Sequence, residues 1–329
     1  MTLRIGILGA AAIAPKALIT PASEIDGVEV VAVAARDPKR AEAFAAEHGI
    51  ASIEPDYRSL CRADYVDAVY IALPASHHKP WAMEALRVGK DVLCEKPLAM
   101  NAAEAAEMVA VADDTGQLLM EAFHWRYHPL ADRMKELVDT RLGQVESVSA
   151  RFAVPIPDKS NIRYQLELGG GALMDLGCYP LQWVRYLLSG EPVITEATAT
   201  QDPEGVDVSL TAKMRFDDHG GVPAEIHCAM AAGTEVSISL TAVGSDGTLE
   251  VTNPLAPQSG NLLSLTTAEG SETEEIESAS TYHHQLVAFM AAIKDSTTPP
   301  TSGVDSVANM AAIDDCYRAA GMQPRGVTI

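Results

Sequence analysis

The chain has 329 residues, 47% of them hydrophobic, and a formal net charge of -21. That length favours two domains over one and is ample for sizeable cores. The acidity excludes a general nucleic-acid binder, whose surface must attract a polyanion, and suits a soluble cytoplasmic protein.

Ile5-Gly6-Ile7-Leu8 is a continuous apolar run, as in a strand covered on both faces. It leads into Gly9-Ala10-Ala11-Ala12-Ile13-Ala14, a turn of small residues, with a helix expected over 16–23. Residues 28–35 read as a second strand. Asp37 caps and Pro38 opens a helix over 39–48, which Gly49 ends. A strand over 66–73 stops at Pro74, a helix over 79–88 ends at Gly89, and 91–94 is a short strand. Asn101 caps a helix reaching 115, and 118–122 is one more strand. Strand–helix alternation with short joins predicts a parallel sheet wound on both faces.

Past Glu121 the rhythm changes. A helix over 128–140 precedes a strand in which Val148, Ala150, Phe152 and Val154 alternate with Ser147, Ser149 and Arg151. The same period of two recurs over 206–216, 224–228 and 236–242. One buried and one polar face predict an open, mostly antiparallel sheet. Hairpin turns at 217–221 and 244–247, a helix over 172–188, an acidic loop or edge strand over 269–277, and helices over 283–294 and 304–320 complete the chain. The expected fold is α/β: a doubly wound, dinucleotide-binding Rossmann domain over 1–122 and an α+β substrate-binding and oligomerisation domain over 123–329. The Ser/Thr-rich face of the second sheet is either solvated or covered by another copy of the chain, in a homodimer or larger homo-oligomer.

The five cysteines, Cys61, Cys94, Cys178, Cys228 and Cys316, are scattered with no CxxC pair. That pattern speaks for reduced thiols and against zinc or redox-pair chemistry. Arg4 and Gly6 stand where the apolar part of a signal peptide would begin, and no apolar run approaches the ~18 residues of a membrane span. Neither export nor membrane insertion is expected.

The small-residue turn aligns Gly9, Ala11 and Ala14 on G-x-G-x-x-G. Backbone N–H groups at such a helix start face a pyrophosphate, so Gly9, Ala11, Ala12 and Ile13 are expected to bind a dinucleotide. Ala11 adds a methyl where the fingerprint has its second glycine, and packing alone also favours small residues here. An NAD-selective fold places an acid at the end of the second strand. This chain has Ala35-Arg36-Asp37 there. Arg36 can pair with a 2′-phosphate, so NADP is preferred, with NAD the alternative. Cys94-Glu95-Lys96-Pro97 follows a strand whose C-terminal end opens into the ligand crevice of such sheets. Asp175 and Tyr179, four apart, share a helix face. A nearby ammonium would favour the phenolate and ease proton exchange with a substrate oxygen. The plainer alternative is a small-residue helix start with Tyr179 half-buried. His124, Tyr127 and His128 have no carboxylate at ligand spacing, so no metal is expected.

The glycine turn, Glu95-Lys96-Pro97, residues 121–129 and residues 169–179 occur in an order that resembles the glucose-fructose oxidoreductase/inositol dehydrogenase (Gfo/Idh/MocA) family over nearly the whole chain. Many members carry His where Tyr179 stands. That choice, with Ala-Arg-Asp after the second strand, looks most like the branch of dimeric dihydrodiol dehydrogenases and NADP-dependent D-xylose dehydrogenases. The resemblance implies hydride transfer between NADP(H) and a sugar, polyol or trans-dihydrodiol. It implies that Lys96 holds the substrate oxygen, Tyr179 is the general acid or base, and Asp175 orients substrate or Lys96. It puts Leu73, Pro74, His78 and Glu95 at the cofactor, with Ala75 departing from the family's frequent Asn. Trp125, Arg126 and His128 would border the pocket of a small hydroxylated substrate. The rival is a non-catalytic NADP-binding sensor that kept the fold. The presence of both Lys96 and Tyr179 favours the enzyme.

Overall fold

A computed structural model describes residues 2–327 and divides the chain into two compact units. The first contains the described residues up to 127 together with Tyr282–Val307; the second contains His128–Thr281 and the residues from 308 on.

In the first unit, in chain order, β1 (Leu3–Leu8) leads through a π-helical turn, Pro15–Ile19, to α1 (Thr20–Glu24), β2 (Val28–Ala34), α2 (Pro38–His48), β3 (Ser52–Ile53) and α3 (Tyr57–Arg62). Then come β4 (Ala68–Ile71), α4 (His78–Arg87), β5 (Asp91–Cys94), α5 (Ala102–Thr115) and β6 (Leu119–Glu121). All six strands pair in parallel, in the order β3-β2-β1-β4-β5-β6. The chain winds outward one way from β1 and then the other way from β4. Sheets of this order bind ligands outside the C-terminal strand ends at that reversal. The caps read from the sequence hold: Asp37 Oδ1 accepts from Lys39 N at 2.9 Å, Asn101 Oδ1 accepts from Glu104 N at 3.0 Å, and Gly49 is left-handed.

The second unit opens with α6 (Pro129–Arg141) and β7 (Val145–Ala153), followed by a π-helical turn, Leu173–Gly177, and α7 (Cys178–Leu188). Its other strands are β8 (Val193–Gln201), β9 (Asp207–Phe216), β10 (Val222–Ala229), β11 (Ser237–Gly244), β12 (Gly247–Thr252), β13 (Leu262–Thr267) and β14 (Gly270–Glu274). The eight-stranded sheet runs β14-β13-β12-β11-β7-β10-β9-β8, antiparallel except where β7 meets β10. Helix α7 packs on β7 and β10 with nearly every side chain buried. The opposite face carries Ser149, Arg151, Lys213 and Arg215, partly or fully exposed. The acidic stretch is the edge strand β14, tied to α6 by Arg133–Glu274 (2.6 Å) and Arg141–Glu272 (3.0 Å). Two helices remain, α8 (Thr281–Asp295) and α9 (Val304–Ala319).

Three features depart from the sequence reading. The boundary falls at Tyr127/His128, and the chain after residue 122 does not stay in one unit. Helix α8 returns to the first core, where Tyr282, Leu286 and Phe289 pack with Ile5, Ile7 and Leu18. Secondly, the helices expected over 16–23 and 172–188 each begin with a π turn, in which Thr20 N bonds Pro15 O and Cys178 N bonds Leu173 O. A proline follows each turn, Pro21 and Pro180. A proline lacks the N–H that would bond four residues back, and its ring crowds that carbonyl, so the preceding turn widens. Thirdly, the sequence reading assigns no element to β3, α3, β8, β12 or β13; β8 alternates weakly, with Ala197 its one buried side chain, whereas β12 and β13 do alternate.

Candidate active site

The turn after β1 exists because strands converge on it. Gly9 takes φ +103°, and a Cβ there would lie 2.8 Å from the Ala72 carbonyl oxygen and 2.9 Å from Leu73 Cδ2. No side chain fits between the exits of β1 and β4. Gly9 N donates to Ala34 O and Ala11 N to Gly9 O, each at 2.9 Å. Ala11, Ala12 and Ile13 remain accessible. Arg40 of α2 reaches back and donates through Nη2 to Ala10 O at 2.8 Å. Arg36 is exposed at the end of β2. Burial pushes the Tyr57 hydroxyl up in pKa, and the charges of Arg36 and Arg40 oppose that push. Burial and then Arg36 hold His77 below its usual value. Two guanidinium groups therefore gather beside the turn. Asp37, one residue too late for a ribose, is used as the α2 cap.

At the end of β5, Glu95 Oε1 accepts from Tyr70 Oη at 2.6 Å and Glu95 Oε2 from Lys96 N at 3.3 Å. Tyr70 is wholly buried. Burial and then the Glu95 charge push its pKa far up, so it is a neutral donor. The Lys96–Pro97 peptide is cis. Just beyond it, Leu98 N donates to the buried Glu121 Oε1 at 2.8 Å. His124 is buried against Tyr282, ring centroids 4.1 Å apart. Burial, then Lys96, then Lys16 drive its pKa down to about 3, so it is neutral. Lys16 Nζ lies 5.7 Å from the Tyr282 ring centre. One end of the sheet thus carries a carboxylate, two ammonium groups and a neutral imidazole.

His78 is placed otherwise than expected. Its side chain is buried, with Nε2 2.7 Å from Leu73 O and Nδ1 3.0 Å from Pro97 O. Burial lowers its pKa, against the pull of these carbonyls. It clasps the loop after β4 to the loop after β5 rather than lining a pocket. Leu73 and Pro74 are half-buried on the first of those loops. Trp125 and His128 are also buried, each 1% exposed, and only Arg126 of that trio is partly accessible. His128 Nδ1 accepts from Leu130 N at 3.1 Å, capping α6.

In the second unit, Asp175 sits inside the π turn and Tyr179 in the first turn of α7. Arg163 Nε donates to Asp175 Oδ2 in a close ion pair. Asn161 Oδ1 steadies Arg163 by accepting from its N at 3.1 Å and its Nη1 at 3.3 Å. The Tyr179 ring meets Phe152 edge-on at 5.7 Å and lies 6.3 Å from Trp183. Gly177 lets the turn press on β10, since a Cβ there would lie 2.8 Å from Cys228 Sγ. Sequence reasoning missed Lys16, Arg40, Tyr70 and Arg163. Arg40 was findable, one helical turn after Arg36. Tyr70 and Arg163 had no local signal, because their partners Glu95 and Asp175 lie 25 and 12 residues away, beyond one helical turn.

Residues 3–123 match the oxidoreductase family with an NAD-binding Rossmann fold, and residues 131–250 match the GFO/IDH/MocA C-terminal domain. The chain belongs to the Gfo/Idh/MocA family of oxidoreductases. Among its relatives is a D-xylose 1-dehydrogenase (NADP(+)) of Haloferax volcanii, 37% identical over 320 residues, covering 96% of each chain. A trans-1,2-dihydrobenzene-1,2-diol dehydrogenase of Xenopus tropicalis is 37% identical over 190 residues, 57% of each chain. The structure is similar to that of KijD10, a 3-ketoreductase from Actinomadura kijaniata solved with NADP and TDP-benzene, with TM-score 0.88, 28% identity and coverage of 95% and 96%. It is also similar to an aldose-aldose oxidoreductase from Caulobacter crescentus complexed with glycerol, with TM-score 0.89, 25% identity and 98% coverage of both chains.

Proposed function

We propose that the chain moves a hydride between NADP(H) and a secondary alcohol or hemiacetal of a sugar, polyol or trans-dihydrodiol. The observation that carries this reading is the cluster at one end of the parallel sheet: the Gly9 turn with no room for a Cβ, Arg36 and Arg40 beside it, and Glu95-Lys96 at the end of β5. These parts fit the cofactor. The turn leaves backbone open to a pyrophosphate, and the arginines offer charge to a 2′-phosphate where no ribose-binding acid stands. The NADP in the name of the Haloferax relative supports the same choice.

The cofactor, when bound, gives or accepts the hydride. The rest falls to this chain. Lys96 donates to the substrate oxygen and stabilises negative charge developing on it. Tyr179 exchanges a proton with that oxygen in the same turnover. Asp175, held by Arg163, orients neighbouring hydroxyls. Because the Arg163 charge is matched by Asp175, the arrangement suits an uncharged substrate. Leu73 and Pro74 contact the cofactor, and His78 contributes through the Leu73 carbonyl it holds. Arg126 is the accessible member of the Trp125–Arg126–His128 group for substrate contact. The polar outer face of the eight-stranded sheet is read as a self-association surface of a cytoplasmic homodimer or larger homo-oligomer. Light scattering that found only monomer would reject that part.

The test is reduction of NADP⁺ and NAD⁺ with a panel of aldoses, inositols and trans-diols. Lys96→Met and Tyr179→Phe should each lower kcat by roughly 10²–10³-fold while NADPH binding is kept. Unchanged turnover in Tyr179→Phe would reject its proton-transfer role. Tight NADPH binding with no turnover of any substrate would leave the sensor reading standing.

A further inference from the structure

The second unit contains a buried ionic cluster that the chemistry above does not use. Asp207, the first residue of β9, is wholly buried, and Arg325, beyond α9, is 5% exposed. Asp207 Oδ1 accepts from Arg325 Nη2 in a close ion pair and from Tyr317 Oη at 3.0 Å. Asp207 Oδ2 accepts from Leu173 N at 2.8 Å, and Arg325 Nε donates to Gly170 O at 2.7 Å. The guanidinium lies over the Tyr317 ring, 4.3 Å from its centre. Gly171 occupies the middle of this arrangement at φ +141°, where a Cβ would collide with Asp207 Oδ1, Arg325 Nη2 and Tyr317 Oη.

Stability alone is a weak reason for such a pair. Removing two charges from water is costly, and well-packed apolar side chains of similar volume often do as well. What the pair does supply is direction. It grips the backbone on both sides of Gly171, at the Gly170 carbonyl and the Leu173 amide. Leu173 opens the π turn that carries Asp175, and Asp175 N bonds Gly171 O at 3.0 Å. The other edge of the same glycine run bonds the Arg163 loop: Gly171 N donates to Arg163 O at 3.0 Å and Gly170 N to Gln165 O at 2.9 Å. One clamp therefore fixes the backbone beneath both members of the Arg163–Asp175 pair and the start of the helix bearing Tyr179.

We propose that Asp207, Arg325 and Tyr317 are positioning residues for the proton-transfer group, setting where Asp175 and Tyr179 stand through the Gly170–Leu173 backbone. This rests on the proposed dehydrogenase reading. The clamp belongs wholly to the second unit, whereas Gly9, Arg36 and Arg40 belong to the first. Its loss should therefore slow turnover without weakening the cofactor.

The experiment compares Tyr317→Phe, which keeps the ring under Arg325, with Arg325→Lys, which keeps the charge but loses the two-pronged grip. Tyr317→Phe should lower kcat about fivefold and Arg325→Lys about fiftyfold, with KM for NADP changed less than about twofold in both. In Arg325→Ala, added guanidinium ion should restore part of the lost kcat. Amide exchange at residues 173–179 should rise in Arg325→Lys while that of α6 stays unchanged. Wild-type kcat in both conservative variants, or a parallel loss of NADP binding and turnover, would overturn the proposal. The underlying reading fails differently: the wild-type chain itself would turn over no substrate, and segment-wide exchange in α6 as well as 173–179 would then reject the clamp separately.

Discussion

The Gly9 turn and the Gly169–Gly171 run are both closely packed backbone, and they are held in different ways. Around Gly9 the restraints come from the ends of adjacent parallel strands: the Ala34 carbonyl of β2, and the Ala72 carbonyl just past β4. Around Gly171, backbone bonds to the Arg163 loop are joined by side chains at positions 207, 317 and 325. A parallel sheet supplies its own crevice, because every strand ends at the same edge. An antiparallel sheet has no such common edge. The helix start that carries Asp175 and Tyr179 has to be located by contacts made elsewhere in the unit. The backbone at Gly9 thus rests on strand pairing, whereas the helix start bearing Asp175 and Tyr179 rests in part on buried polar side chains.

That contrast can be broken most directly at glycine. Gly171→Ala should cost upwards of ~3 kcal/mol of unfolding free energy, since the new methyl meets a buried ion pair as well as a left-handed backbone. Gly49→Ala, also left-handed but with nothing near its Cβ, should cost about 1 kcal/mol. Urea unfolding of both variants reads the difference; equal losses would mean that the clamp adds no constraint of its own.

Acid should probe the Lys96 neighbourhood of the first unit. His124 has a folded pKa of about 3, set by burial first and then by Lys96 and Lys16. The unfolded side chain titrates near ~6.5. Between those values the unfolded chain binds a proton that the folded chain refuses. The stability is therefore complete above pH ~6.5 and is lost as pH falls toward 3, at roughly 1.4 kcal/mol per pH unit. His78, lowered by burial, acts in the same direction. Denaturation midpoints measured from pH 7 to pH 5 should fall, and less steeply in His124→Gln. An unchanged slope in that variant would assign the acid sensitivity elsewhere.

The smallest effect sharpens the comparison at the cofactor. Arg36→Ala should raise KM for NADP about tenfold, ~1.4 kcal/mol, and leave NAD nearly unchanged. Equal losses with the two cofactors would reject a 2′-phosphate contact for Arg36.

Much of the first unit was legible because its signals are local. Asp37-Pro38, Asn101 and Gly49 mark helix ends through bonds that span one turn, and those bonds are present. The continuous apolar run of β1 reports burial on two faces. The alternating runs of β7, β9 and β10 report burial on one, and both sheets follow from them. The places of Lys96 after β5 and of Tyr179 in the first turn of α7 were legible because each follows from a local strand or helix pattern. The partners of His78 were not legible: the family resemblance places it at the cofactor, whereas both ring nitrogens meet backbone carbonyls of two loops.

The sequence by itself determined the two sheet types, the helix caps, and the positions of Arg36, Lys96, Asp175 and Tyr179 on their elements, because each depends on neighbours within a turn or along one strand. Only the tertiary structure decided that α8 completes the first core, that His78 clasps two loops, that Arg163 pairs with Asp175, and that Asp207 and Arg325 grip the glycine run. Most of those partners lie beyond one helical turn of each other, from 12 residues for Arg163 and Asp175 to 118 for Asp207 and Arg325, and nothing in either residue's surroundings announces the other. They meet only after hydrophobic burial has set the strand order, and it is that burial, not local pattern, which selects which polar groups must then satisfy one another.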